Sequence, residues 1–127
     1  ISRLKVLGSA LRNLNQIKEL KTAYMYLKRK DLKKFDFKKG DSEGIVNYGL
    51  SLKNIIFSVI FIEDIENQNK VKISFRSHGN FSCNEFANTY FNGGGHINAA
   101  GGIHNGSIEE AIIKFKTAVN NYKNKLK

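Results

Sequence analysis

Apolar residues follow two different periods along this chain, and the periods separate predicted helices from predicted strands. Leucines recur every three or four positions from Leu4 to Leu14, which predicts an amphipathic helix. Polar and apolar residues alternate across 19–27 and across 71–76, a pattern typical of strands. Residues 55–62 are almost continuously apolar, as in a central strand covered on both faces. The runs at 55–62 and 71–76 are joined by a short polar link, which predicts an antiparallel pair.

Polar residues mark the predicted starts of the remaining helices. Asp41 is a predicted N-cap for a short helix across 41–48. Gly44 is unfavourable inside that helix and indicates a close backbone approach. Ser82 and Ser107 each precede a glutamate by three residues, the spacing of a capping box. The apolar faces of the two helices that follow are predicted to comprise Cys83, Phe86, Ala87, Tyr90 and Phe91, and then Ile108, Ala111, Ile112, Phe115, Ala118, Val119 and Tyr122.

The order of these elements predicts the fold class. Helix, strand, helix, two strands, helix, strand and helix follow one another, which is typical of an α/β (α+β) domain with a small mixed sheet covered by helices. In the first strand, alternate side chains are predicted to face opposite sides, with Ala23, Met25 and Leu27 on one side and Tyr24 and Tyr26 on the other.

Length and composition limit what the chain can contain. Its 127 residues suffice for one ordinary core, so a second full catalytic domain does not fit. The chain begins at Ile1 rather than at a methionine, which suggests a fragment of a longer protein. Cys83 is the single cysteine and is expected to be buried and structural. No transmembrane or secretory segment is recognised, and we expect a soluble, cytoplasmic protein without a membrane partner.

Positive charge is concentrated in the first third of the chain. The net charge is +10, and residues 1–40 hold 12 basic and 3 acidic side chains. Such a patch attracts nucleic acid or acidic phospholipid, whereas the alternative is a solvated lysine-rich face. Charge alone therefore supports a polyanionic partner only weakly.

Residues 92–102, the glycine loop, are the strongest candidate for a ligand site. Gly93, Gly94 and Gly95 precede His96, and Asn98 follows. Consecutive glycines let backbone N–H groups converge on an anion, and His96 can donate a hydrogen bond to a phosphate oxygen. The alternative is a simple turn with a surface histidine.

The remaining candidate chemistry favours binding over catalysis. Arg76 ends a predicted strand, on the face opposite Phe75, and a guanidinium can grip a phosphate with two hydrogen bonds; the alternative is a solvated charge at a strand end. His78, His96 and His104 lack metal-ligand spacing, so we expect neither a metal site nor a catalytic residue in this chain.

Four segments, taken in order, resemble the C-terminal DHH-associated domain of the DHH phosphoesterase superfamily. The branch is that of RecJ-like, exopolyphosphatase-related bacterial oligoribonucleases that also dephosphorylate phosphoadenosine phosphate. Two positions depart from the pattern, since Ser42 stands in place of threonine and Asn54 in place of glycine. The segments are residues 41–48 (DSEGIVNY), 72–77 (KISFRS), 84–87 (NEFA) and 91–102 (FNGGGHINAAGG).

The resemblance implies a division of labour between two domains. A missing N-terminal DHH domain would hold divalent metal, typically manganese, and this chain would bind substrate. Residues 1–16 would then be a linker or docking helix and residues 17–127 the substrate-binding domain. Apolar residues on the first helix fit either a contact with the missing domain or a homodimer interface. By position, the implied substrate-binding residues are Arg76, Ser77, Gly93, Gly94, Gly95, His96, Asn98 and Ala99.

The implied ligands are short RNA and nucleotide phosphates, including phosphoadenosine phosphate. One alternative is a non-catalytic module for single-stranded nucleic acid, based on the basic first third and the five tyrosines. A tRNA-binding role is a further alternative, because the glycine loop resembles, more loosely, the related domain at the C-terminus of alanyl-tRNA synthetases. Another is a phosphodiesterase domain for cyclic or linear dinucleotides. The implied activity is hydrolysis by a longer manganese-dependent enzyme, with this chain inactive alone.

Overall fold

A computed structural model describes residues 1–126 and contains a six-stranded sheet flanked by five α-helices. The strands are β1 (Asn15–Ile17), β2 (Thr22–Leu27), β3 (Phe57–Glu63), β4 (Lys70–Ser77), β5 (Gly94–Gly95) and β6 (Ala99–Asn105). The helices are α1 (Ser2–Arg12), α2 (Arg29–Lys34), α3 (Asn47–Leu50), α4 (Cys83–Tyr90) and α5 (Ile108–Asn120). None of these helices combines the length and apolarity needed to cross a membrane.

The sheet is mixed, with the order β1-β2-β3-β4-β6-β5. β2 and β3 are parallel, and all other neighbouring strands are antiparallel. A parallel pair needs a crossover connection, and residues 28–56 supply it with α2 and α3. The predicted α/β (α+β) class, the interior position of β3 and its antiparallel pairing with β4 are confirmed.

Two hydrophobic clusters lie on opposite faces of the sheet. Tyr24 and Phe57 belong to the larger cluster, which α4 and α5 cover. Met25 and Leu27 belong to the smaller cluster beneath α1 and α2. The predicted alternation of β2 is therefore confirmed, because adjacent side chains enter different clusters.

The leucines of α1 are not its principal buried face. Val6, Ser9 and Ala10 are buried, whereas Leu4 is 70% and Leu11 40% exposed. Small side chains at positions 9 and 10 let the helix lie close to β2, so Leu4 and Leu11 face outward, whereas Leu7 packs at the edge of the smaller cluster. Because Val6 and Ala10 are part of the smaller cluster, α1 packs into the domain; the boundary at residue 16 stays a prediction.

The predicted N-cap at Asp41 is wrong. α3 begins at Asn47 after Val46, and no side chain caps it. Asp41 instead accepts hydrogen bonds from the Ser2 hydroxyl and the Lys38 amide at 2.8 Å each. These contacts tie α1 to the loop before α3.

Gly44 is required for its backbone conformation and not for a close approach. Its φ is +81°, and a Cβ there would meet nothing within 4 Å. The close approach occurs at Gly49, where a Cβ would lie 2.0 Å from Ser58 Oγ. Asn54 has φ +66°, a left-handed conformation that glycine also adopts readily, so this departure from the family pattern fits the backbone.

Of the two predicted capping boxes, the one at Ser107 is complete and the one at Ser82 is partly formed. Ser107 and Glu110 form a complete capping box. Ser82 caps α4 by accepting the Glu85 amide, but the Glu85 carboxylate lies 3.4 Å from Lys125 Nζ. The strand predicted from residue 19 starts later, since residues 18–20 form a 3₁₀ turn.

Candidate functional site

The candidate site lies on a part of the sheet that the helices leave partly exposed. On the sheet side opposite Phe75, Ser74 and Arg76 of β4 pair with Gly101 and Ala99 of β6. These four residues are partly exposed, because the helices on this side pack chiefly over β2 and β3. We call this surface, defined by Ser74, Arg76, Ala99 and Gly101, the open face.

Arg76 is half-buried on the open face, as its position in the strand predicts. Its Nη1 donates to the Phe75 carbonyl oxygen at 2.9 Å, which holds one side of the guanidinium. No carboxylate within residues 1–126 lies within ion-pair distance of it. A half-buried cation without a charged partner is suited to an anionic ligand.

The glycine loop is fixed beside Arg76 by a compact hydrogen-bond network. The His96 amide donates to the Ala99 carbonyl at 2.7 Å, which closes a tight turn. The Asn98 side-chain amide donates to Ser77 Oγ at 2.9 Å and to the Gly79 carbonyl at 3.0 Å. The end of β4 and the turn therefore form one unit.

Ser77 is the centre of this network. It is 5% exposed, and its hydroxyl donates to the Phe81 carbonyl at 2.7 Å and lies 3.3 Å from the Ile97 carbonyl. The structure therefore gives Ser77 a positioning role, while direct contact with a ligand stays a prediction.

The glycine amides do not converge on an open cavity as the sequence suggested. The Gly93 amide donates to the Ala87 carbonyl at 3.1 Å, and the Gly95 amide to Asn84 Oδ1 at 2.9 Å. With the His96 amide also engaged, these donors are unavailable to an anion in this conformation.

The glycines of the loop are better explained by close packing of the backbone than by backbone amides that converge on an anion. A Cβ at Gly93 would lie 1.9 Å from the Gly101 carbonyl oxygen, and one at Gly102 would lie 2.8 Å from the Phe91 carbonyl oxygen. The absence of these side chains lets residues 91–95 lie directly against β6. Asn84 belongs to the segment at 84–87, but its role in holding the Gly95 amide becomes visible only when α4 and the loop are placed together.

Side chains are what the turn presents to solvent. His96, Ile97 and Asn98 are exposed, whereas Ala99 is partly buried on the open face. The structure thus brings together Arg76, His96, Asn98 and Ala99 around the end of β4, with Ser77 beneath them.

Cys83 takes no part in this surface. It is fully buried, as predicted, and burial raises the pKa of its thiol, an effect that the nearby Ser77 and the charge of Arg76 partly offset. A thiol that ionises less readily is a poor nucleophile.

The donor atoms of the described residues do not fit a metal centre. Within residues 1–126, no three His, Cys, Asp or Glu side chains come together as a metal-binding group. Four pockets of about 370, 600, 500 and 450 Å³ are lined neither by Arg76 nor by the glycine loop. None of these four pockets therefore coincides with the candidate site.

Sequence comparison decides the family. The profile of the DHHA1 domain matches residues 6–125. The chain belongs to the DHHA1 domain family. This membership confirms the resemblance to the DHH-associated domain, and the six-stranded mixed sheet is the fold of its structural neighbours. No significant match was found among curated proteins.

Two solved structures resemble this DHHA1 chain over nearly its full length. An exopolyphosphatase-related protein from Bacteroides fragilis is 46% identical with a TM-score of 0.93, and the match covers 98% of this chain and 36% of that one. A pGpG-specific phosphodiesterase, PggH, from Vibrio cholerae is 14% identical with a TM-score of 0.65, covering 99% of this chain and 40% of that one. The DHHA1 chain thus spans well under half the length of either protein.

Proposed function

We propose that this chain is the substrate-binding domain of a longer metal-dependent phosphoesterase, and that it holds the phosphate of short oligoribonucleotides. The observation that carries the proposal is the half-buried guanidinium of Arg76, which has no carboxylate partner within residues 1–126. It lies beside a rigid turn that presents His96. The hydrolytic centre would lie in another part of the longer protein.

The chemistry of the surface suits a phosphodiester. A guanidinium binds two phosphate oxygens with a geometry that a lysine cannot match. Partial burial strengthens this attraction, because less water screens the charges. His96 adds a hydrogen-bond donor at the edge of the same surface, and both groups would stabilise negative charge as it develops on the phosphate.

Short ligands fit this surface better than long ones do. The open face is a small area around one arginine, and a DHHA1-fold protein is named as specific for pGpG, so the fold is compatible with a dinucleotide-sized ligand. Phosphoadenosine phosphate offers the same combination of phosphate and base. A titration ranks the short ligands by their binding affinity.

A second candidate is a module for long single strands, carried by the basic surface around α2. A pocket of about 450 Å³ is lined by Lys28, Arg29, Lys30, Lys33 and Glu63. Two of these cations have partners, because Lys28 Nζ lies 3.2 Å from Glu109 and the Arg29 guanidinium donates to three backbone carbonyls. Among the tyrosines, only Tyr48 is exposed, at 48%. Modules that bind single strands stack the bases on exposed aromatic side chains, and here the tyrosines provide little such surface.

A binding titration separates the two candidates. The chain is titrated with a labelled dinucleotide, a phosphoadenosine phosphate analogue and a long single strand, as wild type and as Arg76→Ala and His96→Ala. Arg12→Ala is the charge-matched control, because Arg12 is exposed and its neighbour Asn13 bonds to Tyr26, towards the opposite end of the sheet.

The proposal predicts that the short ligands bind and that Arg76→Ala weakens this binding at least tenfold, which corresponds to about 1.4 kcal/mol. Arg12→Ala is expected to have little effect. Binding of the long strand alone, with steep salt dependence and no response to Arg76→Ala, would reject it in favour of the basic surface.

A further inference from the structure

The hydrogen bonding of the glycine loop limits how it can recognise a ligand. The amides of Gly93, Gly95 and His96 donate to acceptors within the domain. These three amides are therefore not available to a ligand in this conformation, and the exposed side chains of the turn are candidates for contact with it. His96 is polar and exposed, while Ile97 is a large apolar residue that is 49% exposed at the same turn.

The backbone around Ile97 is hydrogen-bonded to the body of the domain. Its carbonyl oxygen accepts from the Cys83 amide at 2.6 Å and lies 3.3 Å from Ser77 Oγ. On either side, the His96 amide and the Asn98 side chain are hydrogen-bonded as well. An apolar side chain on a backbone ordered in this way loses little conformational entropy when a ligand contacts it.

Strand pairing and chain length set an upper limit of about 12 Å on the distance between the Cα atoms of Arg76 and Ile97. Ala99 pairs directly with Arg76 across β4 and β6, and neighbouring strands lie about 5 Å apart. Ile97 precedes Ala99 by two residues, which adds at most about 7 Å. One nucleotide can thus place its phosphate at Arg76 and its base at Ile97.

We propose that Ile97 is a specificity residue that packs against the nucleobase of the nucleotide whose phosphate Arg76 holds. Base faces pack favourably on apolar side chains in nucleotide pockets. The inference rests on the proposed function and adds to it that the bound ligand must carry a base. An inorganic phosphate or a polyphosphate chain would gain nothing from Ile97.

The test compares a dinucleotide with the same dinucleotide lacking both bases, each titrated against the chain. The variants are Ile97→Ala, the conservative Ile97→Val, and Ile113→Ala as a matched control. Ile113 is 66% exposed on α5, so its truncation removes the same atoms from a surface remote from the turn.

Ile97→Ala is expected to weaken binding of the dinucleotide about fivefold, because roughly half of the side chain is available for contact. Binding of the abasic ligand is expected to stay unchanged. Ile97→Val is expected to remain within about twofold of wild type for both ligands, and Ile113→Ala is expected to match wild type.

Two other outcomes overturn the inference in distinguishable ways. If the wild type binds the dinucleotide through Arg76 and Ile97→Ala leaves it unchanged, or weakens both ligands equally, then Ile97 does not contact the base and only this inference fails. If wild-type binding is absent or insensitive to Arg76→Ala, the proposed function fails with it.

Discussion

Replacing Gly93 by alanine tests whether the glycine loop exists for close packing. The added Cβ would lie 1.9 Å from the Gly101 carbonyl oxygen, 2.7 Å from Gly102 Cα and 2.8 Å from the Gly101 carbonyl carbon. All three are backbone atoms of β6, which pairs with β4 along its whole length. No flexible side chain can move aside, so the two backbones must separate.

The expected cost of Gly93→Ala is about 2–3 kcal/mol of unfolding free energy, towards the upper end of overpacking effects. Gly101→Ala is the matched control. Its Cβ would meet only the Ile73 carbonyl oxygen at 3.5 Å, an ordinary contact, so stability should change by less than about 0.5 kcal/mol or rise slightly.

Urea unfolding followed by circular dichroism measures both variants. Since urea m-values are about 1–3 kcal/mol per molar, the midpoint for Gly93→Ala should fall by roughly 1 M or more, and that for Gly101→Ala should hardly move. A Gly93→Ala variant that is as stable as wild type but has lost nucleotide binding would refute the packing argument. That result would favour direct binding of the ligand by the backbone amides of the loop.

Three further predictions concern stability and reactivity. Ser107→Ala removes the capping box of α5 and should cost about 1 kcal/mol in the same urea assay, whereas Ser107→Asp should retain most of the stability. Burial lowers the pKa of His104 below 6.5, helped by Lys114, so the unfolded chain binds a proton before the folded one. Stability should therefore be complete above pH 6.5 and decline as pH falls below it; a His104→Gln variant with the same pH dependence would argue against this. The buried Cys83 thiol should react with Ellman's reagent far more slowly in the native chain than in urea, and equal rates would contradict its placement.

Strong periodicity made the core strands predictable from sequence. The apolar run of β3 corresponds to a strand buried on both faces over most of its length, and the alternation of β4 to a strand with one buried and one partly exposed face. The same holds for α5, whose capping box and apolar stripe agree. In these segments, local preference and tertiary packing favour the same structure.

The errors arose where tertiary contacts override local pattern. The leucine stripe of α1 predicted a buried face, but the small residues Ser9 and Ala10 allow the closer approach. β5 consists of two glycines, which have no strand preference, and its pairing with β6 depends on the turn at 96–99 and on the contact with Asn84 of α4.

The positions of Arg76 and His96 were predicted from the sequence, whereas their role in binding stays a prediction. Both side chains lie at the end of β4 and the adjoining turn, yet the amides of Gly93 and Gly95 donate to acceptors within the domain. No pattern in the sequence gives the acceptors of those amides, because Asn84 and Ala87 belong to a different element. Exposure of Ile97 likewise depends on how the turn is closed.

Chemical-shift mapping of the ¹⁵N-labelled chain with an unlabelled dinucleotide tests the central claim most directly. We predict saturable shifts concentrated in residues 76–78 and 96–99, with the Arg76 side-chain signals among the largest. Shifts confined to residues 28–34, or no shifts at millimolar ligand while a long strand still binds, would contradict a phosphate-binding surface at the end of β4.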